Sequence, residues 1–110
     1  MLYIGFSLSS HKIISNIFCK TYKHCAPIEI LNDNVVIHQF EHVNKIVDIH
    51  IQQKHLSILE KHGWIFIRYD QKKHIPQKNL CLTCVQFTKQ FCGIKNKKIQ
   101  TPDKLLKYIK

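Results

Sequence analysis

Arginine is almost missing from this chain: Arg68 is the only one in 110 residues. The other basic residues are lysines, and the formal net charge is +10. Base readout and stacking favour the planar guanidinium fork over a flexible ammonium. The charge therefore argues against a sequence-specific nucleic-acid reader. The lysines are also scattered, and the densest run, Lys95-Asn96-Lys97-Lys98, follows a helix pattern and reads as a solvated loop.

Glycine and proline are scarce, with 3 of each beside 45% hydrophobic residues, which excludes a disordered chain. No apolar run approaches the roughly 20 residues that a membrane helix needs. Leu2 to Leu8 is too short for a signal-peptide core and has no basic segment before it. The expectation is a chain with no export address and no transmembrane segment. A complete intramolecular set of disulfides is impossible, because the cysteines number 5: Cys19, Cys25, Cys81, Cys84 and Cys92. Reduced thiols in a cytoplasmic setting are expected. The length suits one domain spanning residues 1–110.

What is present reads as alternating elements. Leu2 to Leu8 alternates and is rich in strand formers. Ile13, Ile14, Ile17 and Phe18 give one face of a helix over Ser10 to Lys20. His24 to Leu31 and Val35 to Phe40 flank Asn32-Asp33-Asn34, so they read as a β-hairpin. Pro27 would confine its strand to an edge or a bulge. Lys45 to Ile51 alternates as a half-buried strand. A short helix over Gln53 to His62 stops at Gly63, and Trp64 to Tyr69 is a further strand. Asp70 to Lys78 is polar and reads as a loop. Thr101-Pro102-Asp103 opens a last helix with Leu105, Leu106 and Ile109 on its buried stripe. Strands gathered in the middle imply an α+β fold, a small antiparallel sheet flanked by helices.

The stretch from Leu80 to Phe91 carries the chemistry. Thr83 is a candidate N-cap, and Cys84 with Phe87, Thr88 and Phe91 follows helical offsets, with Gly93 as the stop. Cys84 then sits at the positive end of the helix dipole, which favours thiolate over thiol. Cys19 and Cys92 lie on apolar helix faces and read as core.

A thiol nucleophile needs an imidazole and a polar group that orients it. The chain has 8 histidines, so position must choose among them. His24 opens one hairpin strand and His38 lies near the end of its partner. Both therefore fall near the open end of the hairpin. A register slip of one residue would turn His38 away and bring Gln39 in. His11, His42, His50, His55, His62 and His74 lie in polar surroundings and read as solvated. Trp64 and Phe66 read as sheet packing.

Tyr22-Lys23-His24-Cys25-Ala26-Pro27-Ile28, then Val35-Val36-Ile37-His38, then Thr83-Cys84-Val85-Gln86-Phe87 resembles the permuted NlpC/P60-like papain superfamily. In that group, including the lecithin:retinol-acyltransferase-like proteins, the histidine strand precedes the cysteine helix. The resemblance implies a circularly permuted papain-like fold. It implies a cysteine peptidase or amidase type of hydrolase, phage or bacterial, with Cys84 as nucleophile and His24 as general base. His38 looks like the third residue, Gln39 replaces it in the other register, and Glu29 is a weaker candidate. No cofactor is implied. The implied substrates are a peptide, a peptidoglycan fragment or an acyl ester. Pro27 and the second cysteine, Cys81, depart from the pattern.

Two other readings use the same residues. Cys81 and Cys84 have zinc-knuckle spacing, to which His24 and Cys25 can be added. A non-catalytic binding module of the same fold would present its basic surface to an acidic partner.

Overall fold

The computed structural model describes residues 1–8, 22–42, 45–70 and 83–110. The helix expected over Ser10 to Lys20, the loop from residue 71 to 78, and Cys19, Cys81, His11 and His74 lie outside the described residues. So does the side chain of His42.

The described residues form an α+β unit. Strands β1 (Leu2–Ser7), β2 (His24–Leu31), β3 (Asn34–His42), β4 (Lys45–Gln52) and β5 (Ile65–Arg68) make one sheet. Its order is β4-β3-β2-β1-β5, and every neighbouring pair is antiparallel. A 3-10 turn (Gln53–His55) leads into α1 (Leu56–Lys61). Helices α2 (Cys84–Cys92) and α3 (Pro102–Ile109) follow β5.

Alternation along the strands splits the core in two. Leu2, Ile4, Phe6, Cys25 and Phe40 face Val85, Phe87, Phe91 and Cys92 of α2 and Leu105 of α3. Ala26, Ile28, Ile30, Val35 and Ile37 point the other way, against Leu56, Leu59, Trp64 and Phe66. This is the period-2 pattern of a sheet covered on both faces. Gly5 sits at a close approach, because a Cβ there would lie 2.6 Å from Ile28 Cδ1 and 3.0 Å from the Trp64 ring.

Two expectations need correction. Pro27 was expected to hold its strand to an edge or a bulge, yet β2 lies between β1 and β3. Pro27 pairs with Ile4, while the register with β3 starts one residue later, at Ile28 opposite Ile37. The missing N–H thus falls at the end of the β3 ladder, where it breaks little. β4, expected to be half-buried, is instead one of the two edge strands and has no buried residue, with Ile46 and Ile49 exposed. Among the described residues no helix is long and apolar enough to cross a membrane.

Candidate active site

Local chemistry fixes where α2 begins. The Thr83 hydroxyl accepts from the Gln86 N–H at 3.1 Å, and Thr83 has extended backbone angles, so it is the N-cap. Cys84 is then the first helical residue. Gly93 closes the helix with φ 74°, a left-handed angle that glycine adopts without a Cβ clash. The Ile94 N–H reaches back to the Lys89 carbonyl at 2.8 Å and completes the stop.

Packing brings the Cys84 turn onto the start of β2. Cys84 Sγ lies 4.0 Å from Cys25 Sγ, and Cys25 Sγ lies 3.6 Å from Thr88 Oγ1. Donors converge on the Cys84 sulfur: the Cys25 thiol, the His24 ring and the Cys25 backbone N–H. The hydrogen bond from the Cys25 thiol does most to hold Cys84 well below the usual thiol range. Burial opposes that effect, and the hydrogen bond and charge of His24 add to it. Cys25 goes the other way. Burial, first of all, pushes its thiol well up, so it stays a protonated donor. Burial also pushes Cys92 up to about 12, in keeping with a core thiol.

His24 is buried, and its Nε2 donates to Gln39 Oε1 at 2.9 Å. That bond leaves Nδ1 as the ring nitrogen for the Cys84 sulfur. The Trp64 ring meets the His24 ring edge to face, with centroids 6.1 Å apart, and covers one side of it. A buried imidazole, held from behind by an amide and shielded by an indole, keeps one orientation. The arrangement can store charge as a thiolate–imidazolium pair, with both ring nitrogens donating.

The structure brings together Cys84, His24 and Gln39. It does not bring His38 to them. His38 Nε2 meets Glu29 Oε1 at 2.8 Å, and His38 Nδ1 meets Asp48 Oδ1 at 2.8 Å. Its ring packs on Phe91, with centroids 4.6 Å apart. Both ring nitrogens are thus taken up by carboxylates on β2 and β4, and Glu29 is committed to that cross-strand tie. The reason is register. Leu31 pairs with Asn34 around a two-residue turn, so Glu29 faces Val36, and His38 continues on that face. Gln39 lies on the other face, with Ala26 and His24.

This geometry separates two substitutions. Gln39→Ala should slow alkylation of Cys84 at neutral pH several-fold, because the imidazole loses its anchor. His38→Ala should leave alkylation unchanged and lower the urea midpoint by the equivalent of about 1 kcal/mol, since it removes a cross-strand tie. Side-by-side iodoacetamide labelling and urea melts check both. A silent Gln39→Ala would remove Gln39 from the site.

Three contributors were not assigned in the sequence: Cys25 as a donor to Cys84, Thr88 behind it, and Trp64 over His24. A signal existed for the first two. Thr88 stands four residues after Cys84, one helical turn on, and Cys25 faces the helix by strand alternation. Among the described residues no group of three or more His, Cys, Asp or Glu is placed to hold a metal ion.

A cleft of about 380 Å³ opens beside the start of α2, lined by Thr83, Gln86, Lys89, Lys97, Ile99 and Gln100. Lys89 Nζ donates to the carbonyls of Asn96 and Ile99 at 2.9 and 2.7 Å, which fixes the loop that forms one wall. No family model, curated protein or solved structure matches this chain.

Proposed function

We propose that the chain is a thiol hydrolase of the peptidase or amidase type, built on a permuted NlpC/P60-like frame. One observation carries the reading: a helix-start cysteine whose thiol is held well down, hydrogen-bonded to a histidine that an amide holds in place. This is the arrangement that nucleophilic thiol catalysis requires.

In this reading the Cys84 thiolate attacks the carbonyl carbon. The Cys84 N–H, at the first helical position, has no acceptor within the helix and is available to the developing oxyanion. His24 gives its proton to the leaving amine, and the acyl group stays on sulfur. Neutral His24 then takes a proton from water, which attacks the thioester and frees the acid. Gln39 holds the ring throughout and takes no proton.

Incubation with peptidoglycan fragments and with a mixed peptide pool tests this. New amino termini should appear with the wild-type protein and not with Cys84→Ala. Absence of cleavage across both pools, together with Cys84 labelling no faster than Cys92, would sink the enzyme in favour of a binding module.

A further inference from the structure

Cys25 has a second capacity that hydrolysis does not use. Its sulfur is 4.0 Å from that of Cys84, and both are free thiols. They stand on different elements, a central strand and the first turn of the helix packed on it. A disulfide needs sulfurs about 2.0 Å apart with a dihedral near 90°. Small χ1 rotations in both residues shorten the gap, and no side chain lies between the donor and its acceptor. Cys84 is 7% exposed, whereas Cys25 is 1% exposed. A small oxidant can therefore reach Cys84 first, while Cys25 needs no solvent path to respond.

We propose that Cys84 and Cys25 form a peroxide-oxidisable pair in which Cys25 resolves oxidised Cys84 into a reversible intramolecular disulfide. The inference rests on the reading of Cys84 as an activated thiolate. It adds Cys25 as a modification site and a hydroperoxide as the co-reactant.

The chemistry balances in two steps. The Cys84 thiolate attacks one oxygen of hydrogen peroxide. An S–O bond forms, the O–O bond breaks, and the departing hydroxide takes the His24 proton to become water. Sulfur loses two electrons and the peroxide gains them. The Cys25 sulfur then attacks Cys84 Sγ. The S–S bond forms, the S–O bond breaks, and the leaving hydroxide takes the Cys25 proton as a second water. Hydrolysis stops, because the nucleophile is blocked. A dithiol restores both thiols by exchange. The neighbouring resolving thiol also diverts Cys84 from irreversible sulfinic acid, the next step of the oxidation ladder.

The test uses the full chain, reduced and then exposed to hydrogen peroxide. Iodoacetamide labelling of Cys84 before oxidation reports the thiolate reading by itself. After oxidation, non-reducing digestion and fragment spectra should show a Cys25–Cys84 crosslink, and dithiothreitol should return the labelling to its starting rate. Cys25→Ser should give no crosslink, and its Cys84 should proceed to sulfinic acid that dithiothreitol does not reverse. Cys81→Ser should keep the crosslink. Circular dichroism of the reduced variants checks that they fold. Fast labelling of reduced Cys84 with a Cys81–Cys84 crosslink instead, or with Cys25 still free after oxidation, overturns this inference and leaves the hydrolase reading standing. Slow labelling of reduced Cys84 in the wild type overturns both.

Discussion

His24→Ala should lower turnover on a cleaved acyl substrate by on the order of 10²–10⁴-fold, the usual contribution of a positioned acid and base. It should also move the pH profile of Cys84 alkylation upward. The sign follows from what His24 supplies. Its hydrogen bond and its charge both favour the thiolate, so they hold the thiol low. In the wild type the reactive thiolate is present above that lowered value, and reactivity falls as pH drops through it. Without the imidazole, burial acts with less opposition, and the same loss begins at higher pH. The Cys25 donor remains, so the midpoint does not reach that of a fully buried thiol. Cys25→Ala should shift the midpoint up as well, while leaving proton transfer to the leaving group intact. The pair of variants therefore separates thiolate stabilisation from acid–base work. His24→Gln guards against a folding artefact, because it fills the space against Trp64. An alkylation midpoint that stays put in His24→Ala would show that the ring does not support the thiolate.

How far the site was legible depends on how local its determinants are. Thr83 and Gly93 could be read as the ends of α2 because a hydroxyl cap and a left-handed stop are properties of a few adjacent residues. The hairpin was legible for the same reason. Its register was not. Taking residue 31 as the centre sets His24 opposite His38. The real turn is Asn32-Asp33, with Asn32 at φ 58° and Leu31 paired to Asn34. That moves the centre by more than one residue and exchanges His38 for Gln39 at the imidazole. Cys25 escaped assignment because only the packing of α2 on β2 decides which sulfur it meets. Pro27 misled because its penalty depends on where a ladder ends, and that is a property of the assembled sheet. The antiparallel α+β fold itself followed from element order alone.

Phe6→Ala should cost about 3–5 kcal/mol of stability, the range for truncating a buried aromatic. Phe6 has no exposed surface and stands mid-sheet in β1, paired with Cys25 on one side and Ile65 on the other. Its ring meets Tyr22 edge to face at 5.9 Å, and it belongs to the cluster that joins the sheet to α2 and α3. Strands on both flanks hold the backbone, so the space cannot collapse and the loss includes a cavity. A domain of this size has only about 5–15 kcal/mol in total, so a large part of it disappears. The thermal midpoint should fall by roughly 10–30 °C. Ile46→Ala is the matched control. Ile46 is also apolar and in a strand, but it is 44% exposed on the edge strand β4. Its truncation should stay within about 0.5 kcal/mol, as for surface positions generally. Urea and thermal melts of the two variants, run beside the wild type, measure the contrast. Equal shifts in both would mean that the sheet face under α2 is not the core this packing describes.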